Sequence, residues 1–92
     1  MQLSDYFENC ANVLKSAVKE GGIIISNDNM LKLYSYYKQA TIGDCNISKP
    51  GGILNLTEKA KWTAWNNLRG TTSDSAKSEY VKTAIDIDLF SV

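Results

Sequence analysis

The sequence predicts an all-α single domain. Three observations carry the expectation: four segments repeat apolar residues at helical spacing, capping residues stand ahead of them, and the one strand-like run has no second strand to pair with. The connections between segments are mostly short, and there is no internal repeat or low-complexity stretch.

The first segment runs from about Ser4 to Lys19. Leu3, Phe7, Cys10, Leu14 and Val18 recur at threes and fours, with Ser4 as N-cap, and Gly21-Gly22 stops the helix. Ile23-Ile24-Ile25 has strand propensity, but an unpaired strand has no ladder, so an extended apolar loop tucked onto the core is expected. Any of Ser26, Asn27, Asp28 and Asn29 can start the second helix, and Asp28 suits the positive end of its macrodipole. That helix ends near Ile42-Gly43. From Asp44 to Asn55 lies the longest irregular stretch, with the only proline, Pro50, and the Gly51-Gly52 pair. Thr57 is the expected cap of the third helix, which places Trp65 and Leu68 on a core stripe and Trp62 beside it, and which Gly70 ends. Thr71-Thr72-Ser73 then caps a fourth helix whose core face is Ala76, Tyr80, Val81, Ala84 and Ile85. Beyond Asp88 the tail is expected to fray, with Leu89-Phe90 docking back.

Ninety-two residues suffice for one modest core, and 43% hydrophobic with 22% charged residues is ordinary globular composition. Ten basic residues balance ten acidic ones, so no global field steers the chain to nucleic acid or to an acidic membrane, and any anion site must be local. The chain has no histidine and only two cysteines, Cys10 and Cys45, without CxxC spacing. Reduced thiols, no zinc or other metal, no Ser-His-Asp or Cys-His machinery and hence no enzyme are the expectations. No apolar run approaches the roughly 20 residues of a membrane span, and MQLSDYFENC has no apolar core of a signal peptide. A cytoplasmic location follows as the default.

The second helix carries the most suggestive chemistry. Tyr34, Tyr37 and Lys38 stand at i, i+3 and i+4 and so share a face, with Met30 and Leu33 one turn earlier able to point at a core. Two rings beside an ammonium suit a ligand that is flat in one part and anionic in another, through stacking and a lysine–phosphate contact. Tyrosines packing a helix seam beside a solvated lysine would leave the same pattern.

YSYYKQATIGDCN, then KPGGILNLTEKAKWTAWN, then LRGTTSDSAKSEYV closely resemble the acyl-CoA-binding protein family, from Phe7 to about Ile85. The signature is YxxYKQAT-x-GD followed, after a proline-glycine loop, by KAKW-x-AWN. The resemblance implies a four-helix bundle in up-down-down-up arrangement, with residues 1–92 forming one acyl-CoA-binding domain. It implies an intracellular carrier and pool former for medium- to long-chain acyl-CoA. Such a carrier shields the acyl chain and delivers it to acyl-CoA-using enzymes. It is a monomer with no cofactor and no catalysis, in transient contact with those enzymes or with membranes. By position, Tyr34, Tyr37 and Lys38 match ligand residues of the second helix, and Lys61 matches a second phosphate-contacting lysine. Tyr80 matches the tyrosine that closes the nucleotide site, and Lys15 a further basic contact. Trp62 and Trp65 match tryptophans that mainly pack.

Four departures stand out, one being that the C-terminal DIDLFSV lacks the lysine-rich ending common in relatives, a difference in surface charge and not in the core site. Tyr36 replaces a frequent histidine off the ligand face, and Gly51-Gly52 reads as a one-residue insertion in a surface loop. Ile23-Ile24-Ile25 replaces a usually more polar segment bordering the region of the acyl chain, so chain-length preference is open. A drifted bundle that binds protein or lipid head groups through that loop and the Leu89-Phe90 tail is the rival to a ligand carrier. Retention of the ligand-position residues argues against it.

Overall fold

The computed structural model describes residues 2–52 and 55–87. Four helices make up the described structure: α1 (Leu3–Lys19), α2 (Asn27–Thr41), α3 (Leu56–Asn66) and α4 (Ser73–Asp86). No strand occurs among the described residues, and Ile23-Ile24-Ile25 runs as irregular chain between α1 and α2. The Leu89-Phe90 tail lies outside the described residues.

Side-chain contacts fix the helix directions. Lys77 reaches Ser4 and the Tyr80 ring reaches Phe7, so α1 and α4 run the same way. Ser73 at the start of α4 donates to the Ala40 carbonyl at the end of α2, so those two are antiparallel. Asn27 and Met30 of α2 face Leu56 and Thr57 of α3, while Trp65 late in α3 reaches Gly43 just past α2, so α2 and α3 are parallel. The bundle is therefore up-down-down-up. The long connection from Ile42 to Asn55 makes the parallel step possible, since it must return along a helix of roughly 22 Å at about 1.5 Å per residue. α4 packs on both α1 and α2, and α2 packs on α3.

Phe7, Cys10 and Leu14 of α1, Leu33 and Ala40 of α2, and Ala76, Tyr80 and Ala84 of α4 form the core. The alanines of α4 are fully buried, and their size permits its close approach to α1 and α2. Ser26 caps α2 by accepting from the Asn29 amide, and Thr72 caps α4 by accepting from the Ser75 amide. α2 stops where Gly43 takes φ 101°, its amide returning to the Lys38 carbonyl.

Several expectations need correction. α1 is capped from Gln2, whose amide donates to Asp5, and not from Ser4, which lies inside the helix. Asn55 and not Thr57 stands at the start of α3; its side chain donates to the Gly51 carbonyl and so ties the helix to the preceding loop. α3 ends at Asn66, and a turn carries the chain on to Gly70. Val18 and Ile85 are exposed instead of core, while Thr83 is buried with its hydroxyl satisfied by the Glu79 carbonyl. The isoleucine loop is split: Ile25 packs on the core, but Ile24 points to solvent.

Candidate functional site

α2 is the central helix, and its row Met30, Tyr34, Lys38 separates two concavities. On one side, between α1 and α2, a cavity of ≈ 430 Å³ is lined by Leu14, Lys15, Val18 and Lys19 of α1, by Met30, Tyr34 and Tyr37 of α2, and by Tyr80. On the other, between α2 and α3, a trough of ≈ 620 Å³ is lined by Met30, Leu31 and Tyr34, with Leu56, Ala60 and Lys61 opposite. Met30 and Tyr34 border both. The walls of each are mostly apolar, with charge at the edges, as in sites for ligands with an apolar body and a polar head.

The first cavity has an aromatic floor. Phe7 stacks on Tyr37 at 5.6 Å between ring centroids and meets Tyr80 edge-on at 5.1 Å, with Tyr37 and Tyr80 6.1 Å apart. These spacings are those of attractive aromatic pairs. Tyr80 is buried, which pushes its phenol up to about 12, with the nearby Cys10 and Tyr37 adding to the shift. Tyr37 leaves 43% of its surface open, enough for a flat ligand to lie against.

Tyr34 is the meeting point of the cations. Lys61 Nζ lies 5.3 Å and Lys38 Nζ 5.8 Å from its ring centroid, and Lys38 is also 5.7 Å from the Trp65 ring. Burial, with Glu58 nearby, raises the Tyr34 phenol above its ordinary value. Lys61 is held by Glu58 at 3.6 Å, with both side chains partly open to water. Two ammonium groups 23 residues apart in sequence, on α2 and α3, thus share one tyrosine. Lys15 borders the α1–α2 cavity from its far wall.

A polar clamp sets this geometry from behind. Gln39, nearly fully buried, donates through Nε2 to Asp44 and to the Thr71 carbonyl, both at 2.9 Å. Asp44 also accepts from the Gly70 amide at 2.8 Å, and Arg69 donates to the Cys45 carbonyl at 2.8 Å. The Gly70 amide and Gln39, with Arg69 close by, hold the Asp44 carboxyl below the usual carboxylate range. The end of α2 is thereby fastened to the α3–α4 turn. Trp65, 2% exposed, adds a bond from Nε1 to the Gly43 carbonyl at 2.8 Å. Trp62 bonds through Nε1 to the Ile47 carbonyl and so pins the loop before α3.

A family model described as Acyl CoA binding protein matches residues 4–84. The chain belongs to the acyl-CoA-binding protein family. It is 47% identical over 75 residues to the acyl-CoA-binding protein of Dictyostelium discoideum, covering 82% of this chain and 83% of that one. It is 38% identical over 87 residues to acyl-CoA-binding protein homolog 3 of Caenorhabditis elegans, covering 95% and 74%. The crystal structure of ACBP from Moniliophthora perniciosa superposes with a TM-score of 0.84 at 39% identity, covering 95% of this chain and 80% of that chain.

Within this acyl-CoA-binding protein fold, five of the six residues singled out from sequence line a concavity. Lys15, Tyr34, Tyr37 and Tyr80 border the α1–α2 cavity, and Tyr34 and Lys61 border the trough. Lys38 lines neither wall and stands between Tyr34 and Trp65. Sequence reasoning missed the trough itself. Leu31, Leu56 and Ala60 carry no chemical signal, and Met30, read as able to point at the core, is 47% exposed at the divide. It also missed the Gln39–Asp44 clamp, although both residues sit inside the family motif; the Thr71 carbonyl that Gln39 reaches is 32 residues away, and the Gly70 amide that Asp44 accepts from is 26 residues away.

Proposed function

We propose that the protein binds acyl-coenzyme A esters through Lys15, Tyr34, Tyr37, Lys38, Lys61 and Tyr80 and carries them without catalysis. The observation that supports this best is the pair of ammonium groups flanking Tyr34, where two apolar concavities meet. A ligand with a flat base, several phosphates and an alkyl chain matches that layout. The base lies on the Tyr37–Tyr80 side, the phosphates fall to Lys38 and Lys61 with Lys15 opposite, and the chain follows the trough past Met30, Leu31, Leu56 and Ala60.

Magnitudes divide the labour. At about 0.8 kcal/mol per buried CH₂, a C16 chain supplies on the order of 10 kcal/mol gross, before the freedom lost on binding is subtracted. Exposed ion pairs are typically worth under about 1 kcal/mol each. The head group therefore fixes identity and orientation, and chain burial fixes affinity, which favours medium- to long-chain esters. Residues 1–92 act in this reading as one acyl-CoA-binding domain, a cytoplasmic monomer that shields the chain and hands it to acyl-CoA-using enzymes. Catalysis is left out because the chain has no histidine and because burial raises the Cys10 thiol, the opposite of what activates a nucleophile.

Isothermal titration calorimetry with palmitoyl-CoA, octanoyl-CoA, free coenzyme A and free palmitate tests the reading. Tight binding of palmitoyl-CoA, weaker binding of octanoyl-CoA and little heat from either free component are expected. Free coenzyme A binding as tightly as its palmitoyl ester would refute the division between head and chain. No heat from any of the four would refute the function.

A further inference from the structure

Of the three lysines placed in the site, Lys61 alone has an acid within ion-pair distance among the described residues. That acid is Glu58, one turn earlier on α3, with its carboxylate 3.6 Å from the ammonium. A charge-assisted hydrogen bond would bring the two to about 2.7–2.9 Å, so this pair is a contact of charges and not a directed bond. The ammonium has a second support in the Tyr34 ring, whose centroid lies 5.3 Å away. Lys38 lies over aromatic rings, Tyr34 and Trp65, with no acid beside it.

Glu58 is the acid of the first turn of α3, where the aligned peptide dipoles favour negative charge and the N-cap Asn55 makes no side-chain capping bond. It therefore serves the helix. Toward an anionic ligand its charge works the other way. The Lys61 side chain is 38% exposed and that of Glu58 59%, so an arriving phosphate meets the pair at the surface. Burial and then Glu58 raise the Tyr34 phenol, so the carboxylate's charge is felt at the ring the two lysines share. A phosphate brought to Lys61 must displace this carboxylate and then lie near it as a like charge.

We propose that Glu58 is an internal competitor for the ligand phosphate at Lys61, setting the head-group affinity below what the site's lysines would otherwise give. The proposal rests on the acyl-CoA reading and adds to it a residue that opposes binding. The other role open to Glu58, holding Lys61 in place for the ligand, fits the geometry less well. The Tyr34 ring already supports the ammonium, no hydrogen bond ties it to Glu58, and both partners are long side chains partly open to water. The two roles differ in sign: a support strengthens binding, and a competitor weakens it. A carrier gains from the competitor. Chain burial supplies most of the affinity, and a head group gripped by unopposed ammonium groups would leave more slowly.

Calorimetry with octanoyl-CoA and palmitoyl-CoA tests this, using wild type, Glu58→Gln and the charge-conserving Glu58→Asp. Glu58→Gln should tighten both esters by about two- to fivefold, the fold-change typical of an exposed ion pair. The factor should be the same for the two chain lengths, because the effect lies at the head group. Glu58→Asp should stay closer to wild type than Glu58→Gln does. The gain should fade at about 0.5 M salt and be lost in a Lys61→Ala background. In urea, Glu58→Gln should unfold at a slightly lower concentration than wild type, since α3 loses its first-turn charge. Tighter binding by a less stable protein is an outcome that a merely structural role would not produce. Equal or weaker ester binding by Glu58→Gln would overturn the proposal, as would a gain kept in full without Lys61. No binding of either ester by wild type would instead overturn the acyl-CoA reading on which the proposal rests.

Discussion

Truncating Trp65 is the sharpest test of how the fold holds the site. The indole is 2% exposed, its Nε1 donates to the Gly43 carbonyl, and its ring lies 5.7 Å from Lys38 Nζ. Trp65→Ala removes a fully buried aromatic, which costs roughly 3–5 kcal/mol. It also leaves the Gly43 carbonyl without its indole donor, adding about 1 kcal/mol. A domain of this size has a net stability of roughly 5–14 kcal/mol, so the variant should fold with most of its margin gone. Urea denaturation followed by circular dichroism reads the loss directly, with the remaining Trp62 as a second, fluorescent probe. Trp65→Phe should recover most of the packing but not the hydrogen bond, and so fall between the two, about 1–2 kcal/mol below wild type. A Trp65→Ala protein within about 1 kcal/mol of wild type would refute the placement of this indole as the bolt between α3 and the end of α2.

Two further outcomes concern the site. Lys38→Ala and Tyr37→Ala should each weaken palmitoyl-CoA binding by about three- to tenfold in calorimetry while the helical circular dichroism is retained, because Lys38 is half-buried at the surface and Tyr37 is 43% exposed; unchanged affinity in both would move the site elsewhere. Tyr80 gives the pH dependence: its folded phenol titrates near 12 against an ordinary value of about 10, so the folded state holds that proton longer than the unfolded chain. Its contribution to stability is fully present below about pH 10 and lost as pH rises toward 12. Tyr80→Phe should flatten that alkaline fall in the melting temperature; an alkaline profile identical to wild type would show that Tyr80 does not cause it.

Helix number, order and approximate ends were legible because they depend on local periodicity and on Gly43 and the Thr71–Ser73 cluster, all read over a few residues. What was not legible depends on distant partners. Thr57 is a good cap by its neighbours, but Asn55 takes the cap position; its side chain makes no capping bond and instead donates to the Gly51 carbonyl. Val18 and Ile85 continue an apolar stripe in sequence yet stand exposed, because a stripe is buried only where another helix covers it. Tyr34 and Lys38 were legible as neighbours on one helix. Lys61 joined them only through the family motif, because no local rule predicts that α3 lies parallel to α2 with Lys61 Nζ 5.3 Å from the Tyr34 ring.

The open end of the bundle follows from the same packing. α4 touches both α1 and α2, but among the described residues α1 and α2 make no close backbone approach of their own. Phe7, Tyr37 and Tyr80 fill the space between them with a layer of rings at 5.1–6.1 Å, each pair contributing about 0.5–1.5 kcal/mol beyond its buried area. Smaller side chains at those positions would let α1 settle onto α2 and close the cavity. The rings hold the helices apart, so the groove stands open before any ligand arrives, and binding need not spend interaction energy on prising it apart. The exposed apolar surface that results, at Met30 and Val18, is surface a chain could have buried by closing. Its presence beside the aromatic layer and the Gln39–Asp44 clamp is what the proposed acyl-CoA reading requires: an apolar wall held open by packing that does not depend on the ligand.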